Sequence, residues 1–221
     1  MLVLGVTTST AQGGAGLAGA TEQTADAASY VELKGHAERL FETIESVVAT
    51  PARLEGVAVD VGPGSFTGIR VGVAAAHGIA LARSLPITGV RSLEAIASGA
   101  ARLAGVALPA IVVALIDAGK GEIFTARLRV DALDRVPALL GPIESLPAAQ
   151  AIDRARELHG THGDLVAGPT ARAQTELPGA IDLAPPADVV ATLGRARLLA
   201  GAPLSLSPEY IRPPDAVLPT R

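Results

Sequence analysis

A chain of 221 residues, 49% hydrophobic and 18% charged, is long enough to bury a core and too apolar to stay disordered. A formal net charge of −4 without a basic tract argues against a nucleic-acid clamp, and 2% aromatic residues leave little for stacking single strands. The absence of cysteine excludes disulfides, thiolate-bound zinc and thiol catalysis. No apolar run approaches the roughly 18 residues of a membrane span, so the expected setting is the cytoplasm.

In chain order, residues 2–6 are a short apolar β-type run that ends in the polar Thr-Thr-Ser-Thr of 7–10. A Gly/Ala-rich turn and weak strand follow, and residues 28–33 alternate as a strand does. Leu40, Ile44, Val47 and Val48 recur at helical spacing and predict a helix over 36–48. Residues 56–61 read as a buried strand, followed by a Gly-Pro-Gly turn, a helix over 66–84, a strand over 86–90 and a helix over 92–105. This order predicts layered α/β structure with a mixed sheet. Near Leu108 and Pro109 the pattern restarts. Strands over 110–118 and 122–130 flank a Gly-Lys-Gly turn as a hairpin; a helix at 147–158, a strand at 164–168, a helix at 186–201 and a Pro-rich tail follow. The halves open alike, which predicts a duplicated topology.

The stretch from Gly62 invites three readings. A phosphate loop would need G-x-x-x-x-G-K-[ST], but Gly68 comes one residue late and Ile69-Arg70 replace Lys-Ser/Thr. Gly62 and Gly64 then belong to a turn, and Ser65 or Thr67 caps the helix. Simple core packing accounts for one side of that helix. Close helix–helix contact is the third reading. Gly68, Gly72, Ala76 and Ala80 fall at four-residue steps and form a smooth stripe, and helical glycines cost roughly 1 kcal/mol each relative to alanine, a loss that tight packing offsets. A second small-residue stripe runs through Val71, Ala75, Gly78 and Ala82.

The block "GPGSFTGIRVGVAAAHGIALARSLPITGVRSLEAIA" (62–97) resembles the TsaB family, also called YeaZ. Similar segments are "LVLGVTTST", "GHAERLFETI", "IDAGKGEIF" and "PEYIRPPDA" (208–216). The resemblance implies an actin-like, ribonuclease-H-like ATPase fold (the ASKHA class) in two related subdomains, 1–105 and 106–221, with mixed β-sheets flanked by helices. It further implies a non-catalytic scaffold that binds a TsaD-like catalytic subunit during threonylcarbamoyladenosine synthesis on tRNA. A TsaE-like ATPase would join the complex, a homodimer would form in isolation, tRNA would be met only through the complex, and no membrane would be involved. ATP or ADP would enter only in the assembled complex, so this chain alone is expected to hold no cofactor and no metal. The partner interface would comprise Gly68, Ile69, Arg70, Gly72, Val73, Ala76, His77 and Ala80, with His36 and Leu40 beside them.

Departures from the related catalytic pattern support a non-catalytic role. Ser92 and Ile96 stand where TsaD-type chains carry metal-binding histidines, and Thr7 stands where an acidic residue closes the first strand. His159 and His162 lie three apart in a loop-like segment with Asp164, too few ligands for zinc. Asp60 and Asp117 each end a strand, but turn or cap roles are commoner than acid–base pairs there. The alternative class is an enzyme, either a metal-dependent peptidase or an actin-like nucleotide phosphotransferase, with Asp60 or Asp117 carrying the chemistry.

Overall fold

Every residue of β1 (Val3–Thr7) is buried, so this strand must be covered on both faces. The computed structural model, which describes residues 1–19, 28–32, 37–48, 54–169 and 171–211, shows how. β1 pairs antiparallel with β2 (Gln12–Ala18), which pairs antiparallel with β3 (Ala28–Glu32). α1 (Ala37–Val48) follows, and then β4 (Gly56–Asp60) joins β1 in parallel. α2 (Phe66–Arg83) leads to β5 (Ile87–Val90), parallel to β4, and α3 (Ser92–Ala104) closes the half. The sheet order is β3-β2-β1-β4-β5.

The second half repeats this plan. β6 (Ala110–Gly119) and β7 (Glu122–Val130) form a hairpin, with β8 (Ala138–Leu139) and β9 (Glu144–Pro147) both pairing β7. After α4 (Ala148–His162), β10 (Leu165–Gly168) adds parallel to β6. α5 (Ala171–Thr175), β11 (Ile181–Asp182), parallel to β10, and α6 (Ala187–Leu199) complete the chain. The order β11-β10-β6-β7-β8 corresponds strand for strand to β5-β4-β1-β2-β3 of the first sheet. The slots are filled unequally: α2 has 18 residues and its counterpart α5 has 5.

The helices do not stay with their own sheets. α1 and α2 cover one face of the first sheet, where Leu40, Ile44 and Val47 meet Leu4, Val57 and Ala76. Its other face is covered by α6 from the second half, through Val189, Val190 and Leu193 on Val3 and Ala58. Reciprocally, α3 packs Leu93, Ile96 and Ala100 on Val112, Ala114 and Leu128 of the second sheet. α4 and α5 cover that sheet's far face with Ala151, Ala155 and Ala171. The glycines that made β2 look weak as a strand have a packing reason. A Cβ on Gly16 would lie 2.5 Å from the backbone N of Asp188, and one on Gly5 would lie 2.5 Å from that of Ala191, so α6 rests directly on the sheet backbone.

Candidate functional site

The ends of β1 and β4 meet the start of α3, and Asp60 sits at the junction. Its Oδ2 accepts hydrogen bonds from Thr7 Oγ1 at 2.8 Å and from Ser9 Oγ; its Oδ1 accepts from Ser92 Oγ at 2.5 Å and from the Gly62 N–H at 2.9 Å. Asp60 has no exposed surface, and Thr7, Ser9 and Ser92 are buried with it. Burial pushes the Asp60 carboxyl above its usual range, against the opposing pull of Ser9, Ser92, Gly62 and Thr7. Strand ends of α/β folds are where ligands are commonly met, but a carboxylate that binds a metal needs an open lone pair. Here four donors occupy the carboxylate. Thr7 and Ser92, the two departures noted in the sequence, are both among them. Ile96 lies in the apolar core of α3.

The Gly-Pro-Gly turn seals the same end. Gly62 has φ +100°, a conformation natural to glycine. A Cβ on Gly64 would overlap the carbonyl of Ser9, which accepts the Ser65 N–H at 2.7 Å. Ser65 is the N-cap of α2, its Oγ accepting from the Gly68 N–H at 3.2 Å. Three amides a phosphate would need, those of Gly62, Ser65 and Gly68, are thus committed within the chain, and the capping reading replaces the phosphate loop. Thr67 is exposed in the first turn.

The smooth stripe of α2 faces inward, which corrects the expectation that it meets a foreign helix. A Cβ on Gly72 would overlap Thr8 Oγ1, and one on Gly68 would overlap the Thr8 carbonyl; Thr8 Oγ1 in turn donates to the Gly68 carbonyl at 2.7 Å. Gly72, Ala76, Ala80 and Ile69 are buried by this chain's own residues, as is Leu40 on α1. Bulk is missing from the stripe so that α2 can lie on the β1–β2 turn. Val73 is half-buried, while Arg70 and His77 are exposed. His36 lies outside the described residues.

The outward side of α2 is different. Phe66, Arg70, Ala74, His77 and Leu81 are exposed, Leu81 at 74%. On α1, Phe41 is exposed as well. The tail reaches the start of this face: Leu204 bridges Gly89, the Glu209 N–H donates to the Val61 carbonyl at 2.9 Å, and Tyr210 follows. Glu209 accepts from Arg91 Nε at 2.7 Å, and the buried Glu94 takes Arg91 at 3.1 Å and Arg197 at 2.7 Å, tying the tail to α3 and α6. This chain of charges is not legible in the sequence because its Arg91–Glu209 and Glu94–Arg197 links each span more than a hundred residues; the "PEYIRPPDA" motif is its one visible trace.

Elsewhere the remaining candidates are occupied by structural contacts. Asp117 is exposed and accepts from the Gly119 N–H at 2.7 Å, a turn role. His159 Nδ1 pairs with the Asp164 carbonyl at 2.8 Å, and the Asp164 carboxylate with Arg127 at 2.7 Å. Among the described residues no three His, Asp or Glu side chains are grouped as a metal site. A cavity of about 150 Å³ beside α4 includes Arg127 and Arg154, but Asp164 and Glu144 neutralise them. Among the described residues, no helix is long and apolar enough to cross a membrane.

Comparison with known proteins places this geometry in context. The family model described as TsaD, tRNA N6-adenosine threonylcarbamoyltransferase, matches residues 31–146. The tRNA threonylcarbamoyladenosine biosynthesis protein TsaB of Escherichia coli is 36% identical over 100 residues, covering 43% of this chain and 42% of that protein. An uncharacterized protein of Mycobacterium bovis is 34% identical over 192 residues, 84% of this chain and 79% of the relative. The structure of YeaZ from Pseudomonas aeruginosa superposes with a TM-score of 0.77 at 25% identity, covering 95% of this chain and 99% of that one. The matched stretch spans about half the length of the first curated relatives.

Proposed function

We propose a function from the premise that this chain belongs to the TsaB/YeaZ family and has its actin-like, ribonuclease-H-like fold. It acts in the biosynthesis of threonylcarbamoyladenosine on tRNA as a scaffold that binds and positions a TsaD-like catalytic subunit, itself carrying out no chemistry. The carrying observation is Asp60. The carboxylate at the strand ends, where an actin-like enzyme would meet metal or nucleotide, is buried and engaged by Thr7, Ser9, Ser92 and the Gly62 N–H. Any metal there would first have to displace these donors. That disfavours the peptidase and phosphotransferase readings.

The docking face is the outer side of α2, with Phe41 of α1 beside it. Its exposed apolar and basic residues suit a protein surface more than bulk water. The catalytic subunit is the occupant, on the strength of the family. In its absence a second copy would cover the same face, and a TsaE-like ATPase, nucleotide and tRNA would be met only in the assembled complex, in the cytoplasm.

The test is co-purification with the TsaD-like subunit of the same organism, followed by tRNA modification with and without this chain. Complex formation and a requirement for this chain are expected, with both lost in Ala74→Arg. ATP or peptide hydrolysis by the isolated chain, abolished in Asp60→Asn, would instead establish an enzyme.

A further inference from the structure

Arg70 is exposed, yet its side chain already has two partners within the chain. Its guanidinium carbon lies 3.7 Å from the centroid of the Phe66 ring, and its Nε donates to the Tyr210 hydroxyl at 3.3 Å. The two rings are 5.3 Å apart and inclined at 34°. Tyr210 is itself fixed, because the neighbouring Glu209 is bonded through its backbone to Val61 and through its carboxylate to Arg91. An arginine on a helix surface ordinarily samples many rotamers. Here stacking and one hydrogen bond remove much of that freedom in advance.

What the clamp leaves open is the other end of the guanidinium. Only the Nε–H is used, so the two terminal amino groups meet no acceptor among the described residues. Arg91, Arg102, Arg127, Arg154 and Arg197, by contrast, each meet a carboxylate of this chain. A planar fork fixed in direction and lacking a counter-charge matches the two oxygens of a carboxylate. Its surroundings narrow the choice of ligand. Phe66 at 43% exposure, Ala74 and Leu81 lie on the same helix side, which is how an arginine anchor sits within an apolar protein interface. The chain's net charge of −4 disfavours a phosphate polymer as the ligand.

We propose that Arg70, clamped between Phe66 and the tail residue Tyr210, is a specificity anchor that takes an aspartate or glutamate of the partner subunit in a two-pronged hydrogen bond, which makes residues 204–211 part of the docking surface. This rests on the scaffold reading above. The test measures affinity for the TsaD-like subunit by titration calorimetry, with the thermal midpoint of each variant recorded beside it. Arg70→Ala should weaken binding about thirtyfold or more, the range of an interface hot spot, with little change in midpoint. Arg70→Lys keeps the charge but loses the fork, and should weaken binding about tenfold. Tyr210→Phe keeps the ring but frees Nε, and should cost about threefold.

Wild-type binding with Arg70→Ala within twofold of it would overturn the anchor and leave the scaffold reading intact. So would Arg70→Ala retaining the partner while losing tRNA in a filter assay on the complex, which would mark a phosphate contact. Failure of the wild-type chain to bind the subunit at all would overturn the scaffold reading, and the anchor with it.

Discussion

Along α2, Gly68, Gly72, Ala76 and Ala80 turn inward onto Thr8 and the first sheet, whereas Phe66, Arg70, Ala74, His77 and Leu81 turn outward. Both sides are poor in charge and rich in small or apolar residues, so composition does not separate them. Space does. Inside, the absence of a Cβ lets a backbone approach a hydroxyl and a carbonyl; outside, larger side chains stand without cover. The lesson is that a stripe of small residues records close packing without recording against what. In this chain its neighbour is the β1–β2 turn.

The contrast can be broken most forcefully at Gly72. Gly72→Leu would drive its side chain into Thr8 and should cost more than about 4 kcal/mol, leaving no folded protein in a circular-dichroism melt. A folded Gly72→Leu that merely failed to bind its partner would reverse the assignment of inner and outer sides. Next comes Asp60, which joins the ends of β1 and β4 to the start of α3. Asp60→Ala strands three buried hydroxyls and the Gly62 N–H, and should destabilise by about 3 kcal/mol in urea titration.

The same carboxylate sets a pH dependence. Because burial raises its folded pKa above the ordinary aspartate value of 3.8, the folded state holds the proton to higher pH than the unfolded chain does. Its contribution to stability is therefore greatest below 3.8 and falls as pH rises through the folded pKa. Asp60→Asn, which the rotatable hydroxyls can accommodate, should flatten that part of a stability–pH profile; an unchanged profile would assign the dependence elsewhere. Ser65→Ala removes the N-cap acceptor and should cost about 1 kcal/mol by the same titration. Smallest in stability is Leu81→Arg on the outer side of α2. At 74% exposure it should shift folding by less than about 0.5 kcal/mol while reducing pull-down of the TsaD-like subunit.

The longer elements were legible because hydrophobic period and turn residues are local signals. α1 lies where that period placed it, and β1, β4, the β6–β7 hairpin and α2 lie where apolar runs and turn residues placed them. β8 and β11, of two residues each, and the five-residue α5 are too short to carry a period. Thr7, Asp60 and Ser92 were each singled out in the sequence, yet not as one cluster. Their convergence depends on parallel pairing of β1 with β4 and on where α3 begins, which spacing does not encode. Ser9 went unnoticed because a serine in a polar turn usually faces water. The reversal of α2 has the same origin: periodicity finds a face and is silent about its neighbour.

The exchange of α3 and α6 between the sheets bears on how the chain melts. Cutting after Ala104 would strip α6 from β1 and β2, exposing the glycine-lined backbone on which it rests, and would leave α3 without the strands that bury Leu93 and Ile96. Neither fragment would keep both walls of its interior. Heat should therefore take the two halves apart in one calorimetric transition, despite their separate hydrogen-bonded ladders.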